Sequence, residues 1–225
     1  MKSYSTLFID LDQTVYPANS GIWEDVAERI HAFLESELEL TTQEAIDLRR
    51  RYYKHYGTTL RGLQLESTVD PIRYMQFIHD VPIEQKINSD PDLPELLKSI
   101  KIPKYIFTNA SIDHAERVLR HLRIEACFDD IIDIIRLEYA NKPDPVAYKR
   151  ALEIAGDPDP ATCILLDDSL KNLQAGSKLG LTTVHIGSSR DADFTADHQI
   201  TTIHGLFEVL PELNHSHNHV EISDG

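Results

Sequence analysis

Five short apolar runs, nearly continuous rather than alternating, constrain this chain more than any other feature. They are Leu7-Phe8-Ile9, Tyr105-Ile106-Phe107, Ile131-Ile132 with Ile134-Ile135, Ile164-Leu165-Leu166, and Thr182-Thr183-Val184-His185-Ile186. A strand wetted on one face alternates apolar and polar residues, whereas a strand covered on both faces does not. Helical patterns lie between the runs, which predicts an α/β fold of βα units around a parallel sheet. Ser111 is placed to cap a helix whose apolar positions, Ala115, Val118, Leu119 and Leu122, recur at three and four. Asp144-Pro145 opens the next helix, with Pro where its missing N–H costs nothing. Ser169 opens another that runs to Gly180.

Residues from about Pro17 to Ile87 interrupt this alternation. Trp23, Val26, Ile30, Phe33 and Leu34 trace one helical face. Thr41 with Glu44 has the pattern of a capping box, opening a second helix through Ala45, Leu48 and Tyr52. Asp70-Pro71 begins a third, and Pro82, Pro91 and Pro94 punctuate the return. The expected organisation is a core over 1–16 and 91–213, an all-helical insertion over 17–90, and a disordered tail over 214–225. A chain of 225 residues can bury one core with a modest insertion.

The bulk numbers exclude several classes. An apolar fraction of 41% and a charged fraction of 26% are ordinary for a globular protein. No apolar run approaches the ~20 residues that span a bilayer. Met1-Lys2-Ser3-Tyr4 leads straight into the first strand without the apolar stretch of a signal peptide. Cys127 and Cys163 offer neither CxxC spacing nor a disulfide framework, so a reducing, cytoplasmic location is expected. A net charge of −15 argues against nucleic acid as a partner, yet a small anion can still bind where cations gather locally. His215, His217 and His219 alternate in the tail with no cluster to enclose an ion, and no other histidine has zinc-ligand spacing.

The chemistry lies at the strand ends. After the first run comes Asp10-Leu11-Asp12-Gln13-Thr14, where an open α/β sheet places its ligands. Asp10 can attack phosphorus as a nucleophile, and Asp12 can protonate the leaving oxygen and later deprotonate water. The bland alternative is a loop with two solvated acids. Thr108-Asn109-Ala110-Ser111 leads into a helix, and its hydroxyl and free N–H groups suit phosphate oxygens, though an ordinary capped turn looks the same. Asp167-Asp168-Ser169 ends a third strand. Beside Asp10 these acids would make a hard oxygen pocket of the kind Mg²⁺ prefers, and without a cation like charges would oppose ionisation. Lys142, in Asn141-Lys142-Pro143-Asp144-Pro145, can tether phosphate and Asp10, or stand as a surface lysine.

Taken in order, Asp10-x-Asp12-x-Thr14, Thr108-Asn109, Lys142-Pro143 and Asp167-Asp168 resemble the four motifs of the haloacid dehalogenase superfamily, in its phosphatase branch, over Leu7 to Gly180. That resemblance implies a Rossmann-like parallel sheet flanked by helices, with the insertion acting as a helical cap. It implies Asp10 as nucleophile and Mg²⁺ ligand, and Asp12 as acid/base and backbone-carbonyl ligand. Thr108 and Lys142 would position phosphate, with Asn109 beside them. Asp168 would be a direct metal ligand, Asp167 a ligand through water or a supporting partner, and Asn172 a support for that pair. Phe8 to Pro17, together with Tyr56-Gly57-Thr58-Thr59-Leu60-Arg61-Gly62-Leu63, is similar to the pyrimidine 5′-nucleotidases of that superfamily. Gln13 and Thr14 depart from the Asn-x-Leu expected there.

That subfamily resemblance implies a small phosphorylated metabolite as partner, a nucleoside 5′-monophosphate. Thr58, Thr59 and Arg61, read as a Gly-bounded loop, are the expected substrate contacts. Tyr52, Tyr53 and Tyr56 could stack on a base, or Tyr52 could pack inside the cap. Arg49, Arg50, Arg51 and Lys54 are read chiefly as a solvated helix face. A dehalogenase needs the nucleophile but has no leaving oxygen to protonate, so Asp12 favours phosphate. A sugar-phosphate phosphatase, a phosphomutase, a phosphoacceptor signalling domain and an inactive binding module remain as alternatives.

Overall fold

The computed structural model describes residues 2–214. The apolar runs form parallel strands β1 (Thr6–Ile9), β2 (Lys104–Phe107), β3 (Asp130–Ile132), β4 (Cys163–Asp167) and β5 (Thr182–Ile186), joined by β6 (His198–Ile200). Their order is β3-β2-β1-β4-β5-β6, with every pairing parallel. Successive side chains point to opposite faces, and both faces are covered. Leu7, Ile9, Ile164 and Leu166 enter one apolar cluster, while Phe8 and Leu165 enter another. That double burial is why the runs read as continuous.

Two strand expectations change. β3 stops at Ile132, and Ile134-Ile135 belong to the turn that follows, with Ile135 exposed. β6 is a three-residue edge strand, His198-Gln199-Ile200, too short and polar to stand out in the sequence.

Helices α1 (Ile22–Leu38), α2 (Thr42–Tyr56), α3 (Thr59–Glu66), α4 (Pro71–Ile78), α5 (Ile83–Lys86) and α6 (Leu93–Ser99) all lie between β1 and β2. Beyond them come α7 (Ile112–Leu122), α8 (Pro145–Ile154), α9 (Leu170–Lys178) and α10 (Leu206–Val209). Among the described residues, no helix is long and apolar enough to cross a membrane. Of the expected tail over 214–225, all but Asn214 lies outside the described residues.

The insertion packs through an apolar layer continuous with that of the sheet. Ile22, Val26, Ile30, Phe33 and Leu34 form the buried face of α1, and the Phe33 ring meets Tyr74 of α4 edge-on at 5.0 Å. Trp23, expected on that face, is exposed instead. The capping box at Thr41 and Glu44 is complete, with both reciprocal hydrogen bonds made. Thr58 to Leu63 is not a loop. Thr58 caps α3 by accepting the Arg61 N–H at 3.1 Å, and Thr59 and Leu60 are buried in its first turn. Gly62 marks where α3 crosses α2, because a Cβ there would lie 2.2 Å from Tyr52 Cγ. Tyr52 accordingly packs inside the insertion rather than awaiting a base.

From β1 the chain goes first to β2 and β3, then returns across to β4 on the other side of β1. The reversal opens a crevice beyond the carboxyl ends of the central strands.

Candidate active site

The β1–β4 ladder pairs Ile9 with Leu166, and the Asp10 N–H donates to Leu166 O at 2.9 Å. Asp10 and Asp167 therefore leave adjacent strand tips side by side. Lys142 comes to them on the loop before α8, next to a cis peptide at Pro143. Its ammonium is fully buried and donates at 2.7 Å to both Asp10 Oδ1 and Asp167 Oδ2. Asn109 holds the lysine backbone from both sides: it accepts the Lys142 N–H at 2.8 Å and donates to Lys142 O at 3.0 Å. Both ends of the Asn109 amide thus bind Lys142, and the residue also lines the cavity where a substrate contact was expected of it. This clamp joins residues 33 apart and has no local sequence signal.

Asp167 is held on each oxygen. Oδ1 accepts from Ser169 N at 2.9 Å and Asn172 Nδ2 at 3.0 Å, while Oδ2 accepts from Lys142 and, at 3.1 Å, from Asn172. The supporting place expected for Asn172 is the one it occupies. Asp168 turns toward the crevice.

Asp12 points elsewhere. Its Oδ1 accepts from the Tyr16 hydroxyl at 2.5 Å and lies 2.8 Å from His114 Nε2. Thr108, buried after β2, accepts the Ala110 N–H on Oγ1 at 3.0 Å, which leaves its own hydroxyl hydrogen to donate. Ser111, the expected side-chain cap of α7, faces His79 Nδ1 at 3.1 Å instead. Asp133 supplies the missing acceptor, taking the Ile112 N–H at 3.0 Å.

The electrostatics follow from this crowding. Burial lifts the Asp10 carboxyl well above its ordinary range; Lys142 opposes the rise, and Asp167 and Asp168 add to it. Burial and the neighbouring Asp167 push Asp168 up to about 7. Burial would depress Lys142, but Asp10 and Asp167 outweigh it and keep the ammonium charged. Burial would also raise Asp12, yet the charge and hydrogen bond of His114, helped by Tyr16, hold it down at about 2. Oxygens of Asp10, Asp167 and Asp168 lie within 4.8 Å of one another, with Lys142 the ammonium that reaches them. An all-oxygen donor set with uncompensated negative charge fits a hard divalent cation of the Mg²⁺ kind.

The insertion faces this cluster across a cavity of about 930 Å³. The α2–α3 turn meets the loop that carries Lys142: a Cβ on Gly57 (φ +82) would sit 2.7 Å from Asn141 Nδ2, and Thr58 Oγ1 is 3.5 Å from Asn141 Oδ1. Thr58, Thr59 and Arg61 all line the cavity. Arg51 does not; it forms a two-pronged pair with Glu66 at 2.7 and 3.0 Å. Arg49, read as part of the same solvated face, turns inward to the cavity. Its hydrogen-bonding neighbour is His31 Nε2 at 3.5 Å, and no carboxylate is within ion-pair distance among the described residues. Tyr53 is exposed at the rim, with the Lys171 ammonium 5.7 Å from its ring. The Tyr56 hydroxyl is tied to Glu66 at 2.7 Å.

A parallel sheet with a buried aspartate–lysine pair and two further acids at its switch point is the setting of one class of hydrolase. The chain belongs to the haloacid dehalogenase-like hydrolase family, whose model matches residues 4–180. It is 28% identical over 223 residues to phosphate metabolism protein 8 of Saccharomyces cerevisiae, covering 92% of this chain and 69% of the yeast protein. Its fold is shared with a HAD phosphatase from Thermococcus onnurineus (TM-score 0.63, 19% identity, 93% and 98% of the two chains). It is also shared with the putative HAD-hydrolase YfnB from Bacillus subtilis, bound to magnesium (TM-score 0.62, 17% identity, 93% and 100%). L-2-haloacid dehalogenases, among them that of Xanthobacter autotrophicus, have the same architecture at a TM-score of 0.59 and 12% identity, over 92% of this chain and 98% of theirs.

Proposed function

We propose that this hydrolase is a Mg²⁺-dependent phosphomonoesterase that acts through an aspartyl-phosphate on Asp10, with a pyrimidine nucleoside 5′-monophosphate as substrate. The observation that carries the reading is the pair of carboxylates in separate settings: Asp10 against Lys142, and Asp12 apart from it against Tyr16 and His114. Displacing a halide needs the first; only displacing an oxygen uses the second.

In the first step the Asp10 carboxylate attacks phosphorus, and the bond from phosphorus to the ester oxygen breaks. Asp12, ionised in the free site, takes up a proton as the phosphate dianion enters beside it, and gives that proton to the leaving oxygen. In the second step water attacks phosphorus, its proton passes to Asp12, and the electron pair of the broken bond returns to Asp10. Lys142 and the Thr108 hydroxyl hold the phosphoryl oxygens, with Lys142 keeping Asp10 in register. Asp10, Asp168 and the Asp12 carbonyl would hold Mg²⁺, Asp167 adjoining them, and the ion would neutralise charge on the transferring oxygens.

The substrate class rests on the resemblance of Tyr56 to Leu63 and on the size of the cavity, which exceeds what a phosphate alone fills. Arg49, Arg61, Thr58 and Tyr53 are the proposed contacts to the nucleoside. The name of the yeast relative, phosphate metabolism protein 8, agrees with this chemistry. The free, buried cysteines suit the reducing cytoplasm proposed as its location.

The test is phosphate release from UMP, CMP, dTMP, AMP, GMP and common sugar phosphates, with Mg²⁺ and with EDTA. A preference for UMP and CMP that EDTA abolishes is expected. Equal rates across the panel would remove the pyrimidine claim, and no Mg²⁺-dependent release from any of them would remove the phosphatase claim.

A further inference from the structure

We infer that Tyr16 and His114 are positioning residues that fix which oxygen of Asp12 carries the proton. The inference rests on the reading of Asp12 as the acid/base. Both partners converge on one atom, Oδ1, at 2.5 and 2.8 Å. An ionised carboxylate can only accept, so the Tyr16 hydroxyl and His114 Nε2–H both donate to it. With Oδ1 taken twice over, a proton shuttled by Asp12 resides on Oδ2.

The surroundings make the arrangement rigid. Tyr16 and His114 are almost wholly buried. The His114 ring stacks on His79 with centroids 4.3 Å apart and an interplanar angle of 19°. His79, which closes α4, is tied through Nδ1 to Ser111. Among the described residues His114 Nδ1 is buried with no hydrogen-bond partner, so Asp12 is the polar group that this ring serves. A buried imidazole left with one unpaired nitrogen is costly unless its other nitrogen has a task. Tyr16 stands on the connection leaving the core and His79 on the connection returning to it. Tyr16 thus holds Asp12 directly, and His79 backs the His114 ring that does so.

An acid/base whose proton sits on a fixed oxygen matters most where the leaving oxygen is basic. An alkyl phosphate such as UMP needs its leaving oxygen protonated, whereas p-nitrophenolate departs without that help. The experiment compares first-turnover phosphoryl transfer from UMP and from p-nitrophenyl phosphate, with Mg²⁺, in wild type, Tyr16→Phe, His114→Leu, His114→Gln and Asp12→Asn.

Tyr16→Phe and His114→Leu are expected to slow transfer from UMP by about 10- to 100-fold, a part of the ~10²–10⁴ that general acid catalysis supplies. KM should change little, and first-turnover p-nitrophenolate release should stay within about threefold of wild type. His114→Gln, which keeps an N–H donor near the Nε2 position, should recover most of the UMP rate. An equal fall for both substrates in both variants would show a packing role alone and overturn the proposal, as would wild-type rates on UMP. Should His114→Leu fail to fold, Tyr16→Phe removes a single oxygen and carries the test. Asp12→Asn separates the two levels: wild-type discrimination between the substrates there would overturn the acid/base reading itself and the positioning proposal with it.

Discussion

Lys142 and Asp10, 132 positions apart in sequence, meet at 2.7 Å in a site where the lysine is completely enclosed. Neither group is stable there alone, because each ion pays for its lost hydration only through the other. The same ammonium holds Asp167, so one cation organises the tips of two adjacent strands.

Replacing Lys142 with Met should therefore affect stability as well as rate. Leaving Asp10 and Asp167 without their cation is expected to cost about 3–5 kcal/mol, the range for breaking a buried pair. Turnover should fall by at least ~10²-fold. Urea denaturation and steady-state phosphate release measure the two effects separately.

The raised carboxyls predict an inverted pH profile for the metal-free protein. Asp168 is pushed up to about 7 from an ordinary 3.8, and Asp10 is shifted the same way. Between those limits the native state binds more protons than the unfolded chain, so stability falls as pH rises from about 4 to 7. Two groups act oppositely. Asp12 loses its contribution only as pH drops toward 2. Burial depresses His79, which offsets part of the fall below about pH 6.5, leaving the two raised carboxyls to set the sign. Thermal melts in EDTA should show a lower Tm at pH 8 than at pH 5. Added Mg²⁺ should raise Tm most at pH 8, where protons no longer compete for its ligands. A metal-free Tm that climbs steadily over that interval would contradict the electrostatic account.

Arg49 and Arg51 are two residues apart on α2 and face different neighbours. Arg49→Met should raise KM for a nucleotide by about 5- to 50-fold, with little change in kcat. Arg51→Met, which opens a part-exposed pair with Glu66 and removes the guanidinium from the Tyr52 ring, should leave KM within about twofold and lower stability by about 1 kcal/mol. Steady-state kinetics on UMP with both variants decides it.

Gly62→Ala should loosen the insertion without touching the strand-tip site. The new Cβ would collide with the Tyr52 ring, and overpacking of this kind costs about 1–3 kcal/mol. A lowered Tm with Mg²⁺ affinity retained, by calorimetric titration, is the expected pair of results.

The parts of this fold that were legible in the sequence are those with local causes. Double burial makes β1, β2, β4 and β5 read as apolar runs, and the carboxylates that follow β1 and end β4 are visible because strand tips are where open sheets bind ligands. The capping box at Thr41 and the Asp-Pro starts at Asp70 and Asp144 depend on residues within one turn, and all three appear. What stayed hidden depends on distant contacts. Nothing local announces that Asn109 clamps the backbone of Lys142, 33 positions on. α3 reads as a loop because Gly62 looks like a breaker, when its role is to admit the Tyr52 ring. His114 did leave a trace, a histidine amid the apolar face of α7 beside Ala115 and Val118, but its partner Asp12 is 102 positions away.

The central claim is that phosphate passes through Asp10. Rapid acid quenching during turnover of ³²P-labelled UMP, borohydride reduction and peptide mapping would locate any acyl-phosphate. The expected result is label on the wild-type protein, reduction of Asp10 to homoserine, and no label on Asp10→Asn. Sustained phosphate release by Asp10→Asn, or an acyl-phosphate on any other residue, would contradict it.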